Sequence, residues 1–123
     1  TGHNVDGIKY VCGHLDFLHQ KFNQELHIVF GMVNDKDISS VLQELPKDAT
    51  YYFTKASVKR ALPENELLAL AEEAGLKGTT YPTVVEAVQA AKKNCPPKDL
   101  IFVGGSSFIV ADLLANRDTL NLY

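Results

Sequence analysis

The 123-residue sequence predicts an α/β fold in which helices cover both faces of a mostly parallel sheet. Three observations carry this. Short β-branched and aromatic runs alternate with segments of helical periodicity, which is the order of βαβ units joined by crossovers. Two of the runs, "LHIVF" and "DLIFV", are apolar without alternation, as inner strands covered on both faces are. Small-residue turns, "TGHN" and "GGSS", stand where a strand would give way to a helix.

Taken in order, Ile8, Val11, Cys12, Leu15, Leu18 and Phe22 fall at helical spacing and predict an amphipathic helix from Asp6 to Phe22. "LHIVF" (26 to 30) predicts a buried strand. In "DKDISSVLQELP", Ile38, Val41, Leu42 and Leu45 form a helical stripe, with acidic residues in the first turn and Pro46 closing it. "TYYFT" (50 to 54) is strand-like. "ENELLALAEEAG" sets Leu67, Leu70, Ala71 and Ala74 on one face and stops at Gly75, a natural residue for the turn after a helix.

"GTTY" reads as a further short strand. Thr83 and Glu86 have the spacing of a capping box, and Val84, Val88 and Ala91 carry the stripe to "NCPP". "DLIFVGG" (99 to 105) is the clearest strand, and "SSFIVADLLA" is apolar nearly all round, which predicts a buried helix. The elements add up to a Rossmann-like three-layer α/β/α domain spanning residues 1–123, with no repeat, linker or low-complexity segment. "TGHNVDG" reads as a strand-to-helix turn with no strand before it, so the natural chain is expected to continue upstream.

Composition narrows the function classes. Apolar residues make up 46% of the chain, and no apolar run approaches the roughly 18 residues of a membrane span. There is no signal-peptide pattern, and Cys12 and Cys95 form neither a CxxC pair nor a disulfide framework; a reducing, cytoplasmic setting is expected. The net charge of −3 opposes attraction to a phosphate backbone, so no nucleic-acid partner is expected.

In an open parallel sheet, ligands bind beyond the carboxyl ends of the strands, at helix N-termini whose free N–H groups favour anions. "TGHN", "GMVNDKD" and "GGSS" belong to that edge. Gly104 and Gly105 let backbone approach a ligand, and Ser106 and Ser107 add hydroxyls suited to a carboxylate or phosphate. The plainer reading is a tight turn with a serine capping the helix. His3 and Asn4 offer a titratable nitrogen and an amide, against the plainer reading of a solvated terminal pair.

Asp35, Lys36 and Asp37 could hold oppositely charged substrate groups or merely form a solvated first turn. His14 and His19 are not stacked on one helix face and His27 lies in a strand, so no metal site is expected. Cys12 and Cys95 read as packed thiols. There is no GxxxxGK[ST], GxGxxG or GxSxG pattern, so nothing here could activate ATP unaided. "TGHN" and "GGSS" are expected on one sheet edge, on the order of 10 Å apart, as the two sides of one ligand site.

Together and in this order, "TGHN", "IVFGMVNDKDI" and "DLIFVGGSSFIVADLL" resemble the C-terminal domain of folylpolyglutamate synthases and bifunctional dihydrofolate/folylpolyglutamate synthases, of the Mur ligase superfamily. The resemblance runs from end to end. It implies an ATP- and Mg2+-dependent ligase that phosphorylates a carboxylate on folate or dihydropteroate and lets the amino group of L-glutamate attack the acyl phosphate. It also implies that the P-loop, the magnesium ligands and most folate contacts lie in a larger N-terminal ATPase domain, the partner of this one. This chain alone would then be inactive and bind no cofactor.

By position, the resemblance implies that His3 is catalytic, near nucleotide and glutamate, that Asn4 contacts nucleotide, and that Ser106 and Lys36 serve glutamate. The chain departs from the family pattern at Val5, where proline is usual, at Thr1 and Gly2, where Gly and Ala are common, and over Gly105, Ser106, Ser107 and Phe108, where many relatives read G-S-F-H, so that a histidine is missing there. Without the resemblance, the residues also fit a stand-alone Rossmann-like module binding a small phosphorylated or carboxylate ligand, or a purely structural docking domain.

Overall fold

The computed structural model describes Lys21 and residues 25–33, 37–96 and 99–120. In chain order these form β1 (Leu26–Gly31), α1 (Ile38–Glu44), β2 (Thr50–Phe53), α2 (Glu64–Glu73), β3 (Gly78–Thr80), α3 (Val84–Asn94), β4 (Leu100–Gly105), α4 (Ser107–Ala115) and α5 (Arg117–Leu120). The four strands make one parallel sheet in the order β3-β2-β1-β4. From β1 the chain winds outward through α1, β2 and α2 to β3. Helix α3 then carries it back to the other side of β1. The winding therefore reverses between β1 and β4, and open parallel sheets bind ligands beyond the strand ends at such a reversal.

Strand alternation divides the core into two layers. Ile28 and Phe30 of β1, with Tyr51 and Phe53 of β2, pack under Val41 and Leu42 of α1 and Leu67 and Ala71 of α2. On the opposite face, Val29 and Tyr52 pack against Val84, Ala87, Val88 and Ala91 of α3, Ile109 of α4 and Leu120 of α5. These are the stripes that the helical spacing picks out.

Local signals act where the sequence puts them. The Thr83 hydroxyl accepts from the Glu86 N–H at 3.2 Å and starts α3. Helix α2 ends with the Leu76 N–H on the Ala71 carbonyl and the Gly75 N–H on the Glu72 carbonyl, with Gly75 at φ +85°. Helix α1 is shorter than its stripe suggests. Its first turn holds no acidic residue, and Asp37 precedes it without a side-chain capping bond. The expected helix from Asp6 to Phe22 falls, apart from Lys21, outside the described residues.

Two expectations are corrected. Among the described strands, "LHIVF" is inner, but "DLIFV" lies at the edge, with Leu100 to Val103 half-buried. An apolar run reports helices above and below a strand and carries no information about its lateral neighbour. Helix α4 is not buried all round: Ile109 is fully covered, whereas Phe108, Val110 and Leu114 are exposed. It packs on β4 and α3, leaving an outward apolar face. No helix among the described residues is long and apolar enough to cross a membrane.

The amino end of the sheet holds a separate polar cluster. His27 Nδ1 is hydrogen-bonded to the Tyr52 hydroxyl at 2.9 Å, and Nε2 faces Asp99 Oδ2 at 3.8 Å. Burial pushes the Tyr52 phenol above its ordinary range, opposed by a hydrogen bond with Asn94. Burial, then the Asp99 charge, raises the nearby Cys95 thiol. His27 is thus buried in the scaffold, in keeping with its place in a strand, whereas Cys95, expected to be a packed thiol, is only half-buried.

Candidate functional site

At their carboxyl ends β1 and β4 meet through two glycines. Gly31 and Gly105 are register partners at the strand ends. Gly105 has φ +106°, and a Cβ there would lie 2.0 Å from the Gly31 carbonyl oxygen. Only glycine fits. A Cβ on Gly31 would lie 2.5 Å from Ile109 Cδ1 and 2.6 Å from the Thr54 carbonyl oxygen, so its bare α-carbon lets α4 and the end of β2 close on β1.

This packing seats Ser106. Its N–H donates to the Gly31 carbonyl at 2.9 Å, and its own carbonyl accepts from Ile109 N–H at 3.1 Å, starting the nine-residue helix α4. Ser106 occupies the N-cap position, yet its side chain makes no capping bond. Its Oγ is buried and has no hydrogen-bond partner among the described residues. The plainer reading, a serine that caps its helix, therefore does not describe it. A buried hydroxyl left unpaired costs about 1 to 3 kcal/mol. Here it stands at a helix N-terminus, where the backbone dipole favours an anion.

A second such hydroxyl lies at the end of β2. The Thr54 N–H donates to the Phe30 carbonyl at 2.9 Å, while its Oγ1 is fully buried without a partner. The loop from Thr54 to Pro63 is fastened to the segment after β1 by Leu62 N–H on the Met32 carbonyl at 2.8 Å and by an antiparallel bridge between Val33 and Ala61. It carries Lys55, Lys59 and Arg60, all exposed, to the same sheet edge as Ser106. Sequence reasoning passed over this loop because "TKASVKR" matches no ligand-binding spacing. The available signal was three cations directly after a strand, in a chain that is acidic overall.

Of the residues singled out from sequence, Gly104, Gly105 and Ser106 lie at the expected edge, beside the end of β1. Asp37 stands there too, just before α1. His3, Asn4 and Lys36 lie outside the described residues, and so does the expected proximity of "TGHN" to "GGSS". Among the described residues, no group of three or more His, Cys, Asp or Glu side chains could hold a metal ion. What the arrangement offers is a buried hydroxyl at a helix N-terminus, with three exposed cations on a loop at the same sheet edge, suited to a small carboxylate or phosphate ligand.

Comparison with known proteins agrees with this architecture. A family model described as Mur ligase, glutamate ligase domain, matches residues 1–107. The dihydrofolate synthase/folylpolyglutamate synthase of Buchnera aphidicola subsp. Schizaphis graminum is 31% identical over 126 residues, covering 100% of this chain and 29% of that protein. A probable bifunctional folylpolyglutamate synthase/dihydropteroate synthase of Haloferax volcanii is 31% identical over 114 residues, 89% of this chain and 13% of the relative.

Among solved structures, E. coli FolC in complex with DHPP and ADP aligns with a TM-score of 0.84 at 26% identity, over 97% of this chain and 28% of that one. The chain thus spans less than a third of the length of each of these relatives. With a parallel sheet whose winding reverses between β1 and β4, and a family match over most of its residues, the chain belongs to the Mur ligase glutamate ligase domain family.

Proposed function

We propose that residues 1–123 are the glutamate ligase domain of an ATP-dependent ligase that adds L-glutamate to folates through an acyl phosphate, and that Ser106 binds the incoming glutamate through a carboxylate. The observation that carries this reading is the Ser106 Oγ, buried without a partner among the described residues at the start of α4, where the end of β4 lies beside the end of β1. A carboxylate there would accept a hydrogen bond from the hydroxyl and lie at the positive end of the helix. Lys55, Lys59 and Arg60 would add long-range attraction for an amino acid that carries a net negative charge.

The names of the relatives support the substrate class: folylpolyglutamate and dihydrofolate synthases, with ADP and DHPP bound in the E. coli structure. ATP would supply the activated carboxylate. The described residues include no phosphate-cradling loop and no metal-holding cluster, so no step on the nucleotide is assigned to them. The ATPase and most folate contacts belong, on this reading, to the remaining length of the whole enzyme. His3 would then stand between nucleotide and glutamate, Asn4 beside the nucleotide and Lys36 in support of glutamate.

The test is steady-state kinetics of the full-length enzyme carrying Ser106→Ala. Loss of a hydrogen bond to a charged group, about 1.5 to 3 kcal/mol, should raise the glutamate KM roughly ten- to a hundredfold while leaving the ATP KM unchanged. An unaltered glutamate KM would reject the assignment.

A further inference from the structure

The loop after β2 and helix α4 are joined through one carboxylate. Asp112, in the second turn of α4, accepts the Ser57 N–H on Oδ2 at 2.8 Å and the Ser57 hydroxyl on Oδ1 at 2.9 Å. Both oxygens are engaged by a residue 55 positions away in sequence. Paired charge-assisted bonds of this kind fix direction as well as distance. Asn116 Nδ2 donates to the Asp112 carbonyl at 2.7 Å and braces the turn that carries the clasp.

What the clasp joins matters. Ser106 opens α4, about 9 Å along the axis from Asp112 at the usual rise of 1.5 Å per residue. Ser57 sits in the loop that bears Lys55, Lys59 and Arg60. The outward face of α4 leaves Phe108, Val110 and Leu114 exposed, so the helix's rotation is set from its inner side, where it packs on β4 and α3. Near the site, that rotation is held by Ile109 seated on Gly31 and by the grip of Asp112 on Ser57. The same grip ties the helix that Ser106 opens to the loop that bears the three cations.

The geometry points to Asp112 as a positioning residue for glutamate, which touches no substrate and acts by holding the Ser57 loop and the Ser106 turn in one arrangement around an anionic ligand. This rests on the glutamate reading of the Ser106 edge. A purely structural aspartate, when removed, lowers the fraction of folded enzyme and with it the apparent kcat. A positioning residue instead raises the KM of the one substrate it helps to orient.

Two readouts test it in the full-length enzyme. Hydrogen exchange should show the Ser57 amide protected in the wild type and exchanging on the order of tenfold faster in Asp112→Ala, with the β1 amides unchanged. Kinetics should show the glutamate KM raised about tenfold in Asp112→Ala and less in Asp112→Asn, which keeps one acceptor oxygen, with the ATP KM constant in both. Adding Ser57→Ala to Asp112→Ala should change nothing more, because the two act as a unit. The proposal is overturned if the Ser57 amide is equally fast in both proteins, or if the Asp112 variants keep the wild-type glutamate KM while Ser106→Ala raises it. If Ser106→Ala itself leaves the glutamate KM unchanged, the site reading fails first and the positioning role falls with it.

Discussion

The Ser106 N–H donates to the Gly31 carbonyl across 2.9 Å, tying the turn after β4 to the end of β1. That bond belongs to the backbone. It fixes where Ser106 stands while leaving its hydroxyl uncommitted. Scaffold and binding group are therefore separable at this one residue, and substitutions can address each in turn.

Gly105→Ala addresses the scaffold. The left-handed φ of +106° and a methyl placed 2.0 Å from the Gly31 oxygen leave no relaxed conformation. The substitution should cost about 3 kcal/mol or more, from backbone strain together with displacement of β1 or β4. Urea unfolding of this chain, followed by circular dichroism, checks it. A loss below about 1 kcal/mol would mean that the turn can rearrange freely.

Ser106→Ala addresses the binding group. Removing a buried, unpaired hydroxyl should leave the stability of this chain unchanged or raise it by up to about 1 kcal/mol. The same urea titration decides. Destabilisation would show that the hydroxyl has a structural partner within the domain.

The edge position of β4 predicts an alternating pattern of amide exchange. Leu100 N–H donates to the Glu25 carbonyl and Ser106 N–H to that of Gly31, so the amides of Leu100, Phe102 and Gly104 face β1. Those of Ile101, Val103 and Gly105 point the other way, where no described strand pairs with them. NMR-detected exchange should find the first set slow and the second fast. Uniform protection along β4 would require a partner on its outer side.

Tyr52 predicts a response to alkali. Burial raises its pKa above 10.0, so the fold favours the neutral phenol. That contribution is fully present below the unfolded pKa of about 10 and is lost as pH rises through the folded value. Tyr52→Phe should cost on the order of 1 kcal/mol at pH 7, by loss of the bond with His27, and should flatten the fall in stability above pH 10. Unfolding free energies measured at several pH values in that range test the difference in slope.

Much of the scaffold was legible because its signals are local. The Thr83 and Glu86 spacing, the Leu67 and Ala71 stripe and the stop at Gly75 each act within one turn of helix. The placement of β4 at the edge was not, since apolar residues such as Ile101 and Val103 report cover by helices and carry no record of which strand lies alongside. The same holds for α4, whose Phe108 and Leu114 read as core residues from hydropathy alone.

At the site, Ser106 could be read because two glycines before a helix mark a close backbone approach. Thr54 could not, because a threonine ending a strand is indistinguishable from an ordinary β residue until its hydroxyl is seen buried and unpaired. The Ser57–Asp112 pair has no sequence signature at all, being made by tertiary packing across 55 residues.

The most direct measurement of the central claim is the equilibrium affinity of the full-length protein for L-glutamate, with a non-hydrolysable ATP analogue and folate present, determined by calorimetry for the wild type and for Ser106→Ala. A Kd about ten- to a hundredfold weaker in the variant, with analogue binding unchanged, is the result the account predicts. Equal glutamate affinity in the two proteins would contradict it.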